Sequence, residues 1–323
     1  MSDGVSGMKK IIIDTDPGID DAMAILLAHA SNEIDLVGIT TTFGNASIEN
    51  STRNALYLKD KFALQATVAQ GVDVPLVLPA SPPATAVHGN NGLGNINIPS
   101  EQTSQVINQL AHDYIINTVK AHPHEITLIA IGRLTNLALA LSKAPEIASL
   151  VKEVIIMGGA FGFNGHSGNL TPFAEANVYG DPHAADIVVS ANWPVTMVGL
   201  DVTQQSIMST AYINDLKSKS SKYGAFIYDI SEFYAKFYHA DLGLDGFYVH
   251  DSSAIIYAIA PELFTTRKGN IRVVTEGVAA GHTLFKESDR VFPIDEWSDR
   301  PKQKICTNVE CDKLLNLYYN TMI

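Results

Sequence analysis

Eight residues near the start of the chain, Asp14-Thr15-Asp16-Pro17-Gly18-Ile19-Asp20-Asp21, hold four carboxylates. Acids packed this closely repel one another unless positive charge sits among them. A helix N-terminus favours one or two acids, and four exceed what it offers. A hard divalent cation with oxygen ligands satisfies the remainder. The plainer reading makes these acids helix caps and solvated turn residues. Their position argues against it, because they follow Lys9 to Asp14 (KKIIID), which reads as a short buried strand. In open α/β sheets, ligands bind at the carboxyl ends of strands. Asp14 and Asp16 share strand parity and can face the same way. Pro17-Gly18 then turns the chain, and Asp20 and Asp21 open a helix. An EF-hand is excluded by spacing: Gly18 and Ile19 fall at loop positions 5 and 6, where an oxygen ligand and a glycine are expected.

The elements that must position these acids alternate along the chain. Apolar spacing predicts a helix over 19–30, a strand over 34–43, a helix over 48–62 and a short strand over 67–70. After a Pro/Gly/Asn-rich loop (79–99), the pattern predicts a helix over 105–121, a strand over 126–131 and a helix over 136–143. Strands over 154–157 and 195–200 follow, with a helix over 181–190 between them. Residues 209–238 read as mainly helical and aromatic-rich, 271–275 and 304–309 as late strands, and the C-terminus as a helix. This order predicts an α/β fold, a mostly parallel central sheet flanked by helices with a helical elaboration. Residues 9–323 are expected to form one domain, with 1–8 a leader. The 79–99 loop and Gly158–Gly168 are irregular, and such loops often carry function.

Composition narrows the classes. The net charge of −12 argues against nucleic acid as a partner. No apolar run approaches the ~20 residues that cross a bilayer. Two cysteines, Cys306 and Cys311, cannot staple 323 residues, which points to a reducing, cytoplasmic setting.

The segment DTDPGIDD resembles the N-terminal signature of the inosine-uridine nucleoside hydrolase family. Further segments match in the same order: Thr42-Phe43-Gly44-Asn45, Gly132-Arg133-Leu134-Thr135-Asn136-Leu137-Ala138, Met157-Gly158-Gly159, the Asn169, Glu175, Asn177 spacing, and Val249-His250-Asp251. The resemblance runs from about Lys9 to the C-terminal helix. It implies a Rossmann-like nucleoside hydrolase fold and hydrolysis of a ribonucleoside to ribose and free base, as in purine or pyrimidine salvage. It also implies a homodimer or homotetramer and a Ca2+ ion held by Asp16, Asp21, Asp251 and the Ile131 carbonyl. Asp14 becomes a supporting residue. Asp20, Asn45, Met157, Asn169, Glu175 and Asn177 contact substrate, and His88 lies near base or sugar. Asp16 takes the proton of a calcium-bound water, and His250 is the acid for the leaving base, a role suited to a side chain that titrates near neutrality.

Residue chemistry is consistent with that assignment. Ribose hydroxyls need donors and acceptors, which Asn and carboxylates supply, and an oxocarbenium-like sugar favours nearby negative charge. Tyr234 and Tyr238, at i and i+4, read first as core and alternatively as a stacking platform for a base. Two positions depart from some family members: Thr15 stands where one branch has Cys, and Arg133 replaces a Gly and reads as a surface turn. Two alternatives stay open. A haloacid-dehalogenase-like phosphatase also carries D-x-D after its first strand, but leaves Pro-Gly-Ile-Asp-Asp and V-H-D unexplained. A calcium-dependent nucleoside or sugar sensor would use the same pocket without turnover.

Overall fold

The computed structural model describes residues 7–323. Most of the leader expected at 1–8 lies outside the described residues; Met8 is exposed. Among the described residues eleven strands form: β1 (Lys9–Thr15), β2 (Ile34–Thr41), β3 (Thr67–Gln70), β4 (Ile126–Ala130), β5 (Glu153–Met157), β6 (Val195–Val198), β7 (Ile207–Met208), β8 (Phe247–Tyr248), β9 (Phe264–Val273), β10 (Thr283–Lys286) and β11 (Lys302–Val309). Nine of them make one sheet in the order β10-β9-β11-β6-β5-β4-β1-β2-β3. Every neighbouring pair from β3 to β11 is parallel, and β9 and β10 add an antiparallel edge. The α/β expectation therefore holds.

Successive β1 side chains point to opposite faces of the sheet. Ile11 and Ile13 accordingly pack in one hydrophobic layer and Ile12 in the other. The Ile19–Ala30 helix covers the first layer, and all of Ile19 to Ala28 is buried. A helix apolar all round belongs in a core. Truncating Leu26 or Leu27 there would cost roughly 2–5 kcal/mol. Strand order reverses between β1 and β4: β2 and β3 extend one way from β1, and the chain returns to place β4 on its other side. Such a switch point opens a crevice at the strand C-termini. The acids after β1 and Ile131 after β4 both stand at it.

Several elements differ from expectation. The helix expected over 105–121 begins only at Ala111, because Ile107 N–H donates to Val68 carbonyl at the edge of β3. Residues 209–238 split into the Thr210–Lys219 and Gly224–Leu242 helices. The late strand at 271–275 overlaps the end of the longer β9, whose residues 265–268 are exposed and polar, and β10 was not anticipated. Among the described residues, no helix is long and apolar enough to cross a membrane.

Candidate active site

Asp14 is the last β1 side chain but one. Its Oδ1 accepts from Thr40 Oγ1 (2.5 Å) and Asn136 Nδ2 (2.9 Å). The Leu-Thr-Asn run thus reaches the first acid: Asn136 also donates to the Thr41 carbonyl, tying β1, β2 and the Thr135–Lys143 helix together. Burial pushes the Asp14 carboxyl up to about 7.

Asp16 is 1% exposed. Its Oδ2 accepts from Asn45 N–H at 2.6 Å, while Oδ1 has no partner. Asp21 accepts from Thr15 Oγ1 (2.6 Å), Gly18 N–H (3.0 Å) and Asn45 Nδ2 (2.7 Å). Gly18 is required by close approach, since a β-carbon there would lie 2.6 Å from His88 Nδ1 and 2.8 Å from Asn45 Nδ2. Oxygens of Asp20, Asp21 and Asp251 lie within 4.8 Å of one another. Burial first, and then mutual repulsion, hold Asp16, Asp20 and Asp251 well above the usual carboxylate range. Burial likewise raises Asp21.

A cavity of about 350 Å³ opens over these acids, within the size range of small-molecule sites. Asp20, Asn45, His88, Ile131, Met157, Asn169, Glu175, Asn177, His250 and Asp251 all line it. Asp16 and Asp21 are buried and bonded to Asn45 without lining it, and Asp14, also buried, is bonded instead to Thr40 and Asn136.

Neighbours constrain the lining residues. The Asn177 Nδ2 donates to the carbonyls of Ile131 (2.9 Å) and Met157 (3.1 Å), leaving its amide oxygen for other partners. The Glu175 carboxylate caps the Ala176–Gly180 helix, accepting from Asn177 and Val178 N–H, and also accepts from Gly159 N–H. Exposed Asn169 stands at the rim, its Oδ1 accepting from Ala176 N–H. Ile19 N–H donates to His88 Nδ1 (3.2 Å), which fixes the tautomer with the proton on Nε2. Burial pushes His88 down to about 3, so its ring is neutral.

His250 departs from the near-neutral acid expected from its type. Burial pushes its imidazole down to about 4. Its Nδ1 pairs with Thr203 Oγ1 (2.8 Å) and its Nε2 with the Tyr238 hydroxyl (2.9 Å). The Tyr238 hydroxyl pairs with Tyr234 (3.4 Å), whose hydroxyl donates to Asp20 Oδ2 (3.2 Å). Tyr234 and Tyr238 are both buried and both line the cavity, so the core and pocket readings meet in the same rings. Sequence reasoning missed Thr15, Thr40, Asn136 and Thr203 as partners, and Gln204, Phe237 and Asp241 as lining. The i, i+3, i+4, i+7 series 234, 237, 238, 241 carried the signal for two of them.

Arg133 corrects the surface-turn reading. It is 7% exposed, with its guanidinium carbon 4.5 Å from the centre of the Phe43 ring.

The comparisons fit this geometry. The family model described as inosine-uridine preferring nucleoside hydrolase matches residues 11–316. The chain belongs to the inosine-uridine preferring nucleoside hydrolase family. It is 41% identical to uridine nucleosidase 1 of Arabidopsis thaliana over 282 residues, 86% of this chain and 82% of that protein. It is also 41% identical to the inosine-uridine preferring nucleoside hydrolase of Leishmania major over 271 residues, 83% of this chain and 84% of that one. The fold superposes on a plant nucleoside hydrolase with a TM-score of 0.93 at 38% identity, covering 97% of this chain and 98% of the other. As a nucleoside hydrolase it is an N-glycosyl hydrolase, and the family match spans both segments that the phosphatase alternative left unexplained.

Whether a cation fits is decided by the donor set. The three gathered side chains offer oxygen only, and Asp14 Oδ2, Asp16 Oδ1 and Asp20 Oδ1 are buried without partners. Buried unpaired carboxylate oxygens are costly, and an all-oxygen donor set of this kind suits a hard divalent cation.

Proposed function

We propose that this nucleoside hydrolase uses the cavity to cleave a ribonucleoside into ribose and free base, with Asp16 as general base and a calcium ion as cofactor. The observation that supports this most is the cluster of buried aspartates with orphaned oxygens at the switch point between β1 and β4. Asp16, Asp21, Asp251 and the Ile131 carbonyl would hold the ion, with Asp20 beside them. When bound, a divalent cation supplies positive charge that offsets the carboxylates and lowers the pKa of nearby water.

The remaining work falls to the chain. Asp16 takes the proton of the attacking water through its unpartnered Oδ1. Asp20, Asn45, Asn169, Glu175 and Asn177 ring the sugar with acceptors and amides, with Met157 along the same wall, and fix the anomeric carbon for attack. The concentration of carboxylates stabilises the positive sugar of the transition state. His88 offers its Nε2–H to sugar or base. The leaving base needs a proton or a donor. Neutral His250 meets the Tyr238 hydroxyl through its Nε2, and Tyr238 lines the cavity where the base would sit. His250 therefore acts through Tyr238 in this arrangement.

The test is ribose release, read as reducing sugar, from inosine, uridine and cytidine after chelation and again after calcium is restored. Release that stops with chelator and returns with calcium supports the reading. Nucleoside binding with no release would instead make the protein a sensor.

A further inference from the structure

Arg133 occupies a built position that the proposed chemistry does not use. Three features make its place. The Phe43 ring lies under the guanidinium. Gly180 lacks the β-carbon that would fall 2.2 Å from Arg133 Nε and 2.6 Å from its Cδ. Gly44 lacks one that would fall 2.0 Å from Asp16 Oδ2 and 3.4 Å from Arg133 Nε. The same missing atom thus leaves room for both the Asp16 carboxylate and the arginine. On the other side, a β-carbon at Gly132 would lie 2.6 Å from Asp16 Oδ1. Asp16 is therefore seated between two glycines, with the guanidinium beside one of them.

This cation is expensive for the fold. It is buried, and its Nη1 has no hydrogen-bond partner. Burying such a charge without a close pair is costly. Asp16 and Asp181 are the negative charges that act on it. Asp181 is already engaged by Thr135 Oγ1 (2.7 Å) and by the backbone N–H groups of Leu76 (2.9 Å) and Ala184 (3.1 Å). Asp16 has one free oxygen and stands against the repulsion of Asp21 and Asp20. Among the described residues, no lysine or arginine lines the cavity.

We propose that Arg133 is a positioning residue, a fixed buried counter-charge that seats the Asp16 carboxylate for its work as base. This rests on the reading of Asp16 given above. Because a fixed cation beside the aspartates also opposes a second cation, the proposal makes a double demand. Removing the charge must slow turnover and at the same time tighten calcium binding. A residue that merely filled space would do neither selectively.

The experiment compares wild type, Arg133→Met and Arg133→Lys. It measures calcium affinity by calorimetry, the calcium-induced shift in melting temperature, and kcat and KM for the best nucleoside. Methionine keeps much of the length without the charge, and lysine keeps the charge without the planar group. Arg133→Met should lower kcat at least about tenfold with KM little changed, the pattern of an interaction used in the transition state. It should bind calcium about threefold tighter or more, from the lost repulsion, and show a larger calcium-induced melting shift. Arg133→Lys should recover most of each change. Unchanged calcium affinity in Arg133→Met, or a lysine variant that behaves like the methionine variant, would overturn the proposal. If Arg133→Met does not fold, Arg133→Lys decides: a kcat within about threefold of wild type supports a charge role, and a loss matching Asp16→Ala refutes it. A wild-type protein that binds no calcium would fail earlier, at the proposed function itself.

Discussion

Without divalent cations, the stability of this protein should fall as pH rises. Asp14 shows the size of the effect. Burial lifts its carboxyl from an ordinary 3.8 to about 7 in the folded chain. Between those values the folded state binds a proton that the unfolded state has released, so stability decreases with rising pH across that window. Its contribution is fully present below the unfolded value and gone above the folded one. From about pH 5.5 to about pH 8, one such group removes about 2 kcal/mol. At an unfolding entropy of ~2.1 cal/mol/K per residue, a chain this long shifts its melting point by about 3 °C for that amount. Asp16, Asp20, Asp21 and Asp251 are raised in the same direction and add to the slope. Thermal melts at both pH values, in chelator and in excess calcium, measure it. The chelated protein should melt several degrees lower at the higher pH. Calcium should flatten or reverse that difference, because it binds the ionised carboxylates. Equal slopes with and without calcium would refute the argument that these acids are strained by burial and relieved by a cation.

Other expectations follow from single contacts. Asp16→Ala should abolish turnover while the calcium-loaded protein stays folded; activity within about tenfold of wild type would remove Asp16 as the base. Either His250→Ala or Tyr238→Phe should harm inosine or uridine cleavage more than cleavage of an activated nitrophenyl riboside, because both break the link between imidazole and leaving base. Equal losses on both substrates would take that pair out of the acid role. Gly18→Ala should reduce kcat/KM by pushing His88 and Asn45 away from the pocket, since the new atom would meet both under 3.0 Å. A variant with wild-type kinetics would show that the two side chains are not held there for function.

The site was legible in the sequence to the extent that it is local. The four acids, the strand before them and the helix after them are adjacent in the chain, so their spacing alone placed them at a strand end. The late strands were harder to read. After buried Phe264, residues 265–268 of β9 are polar and exposed, and a solvated stretch of strand shows little apolar pattern. Arg133 was misread because its burial comes from Phe43 and Gly180, which are distant in sequence. The sequence marked His250 by its place in V-H-D, but its ionisation depends on burial against Thr203 and Tyr238, which no motif encodes.

The most direct test of the account is a structure of the protein crystallised with calcium and ribose. One ion should sit among Asp16, Asp21, Asp251 and the Ile131 carbonyl and touch the sugar hydroxyls. Ribose bound in the cavity with no ion among those aspartates would contradict it.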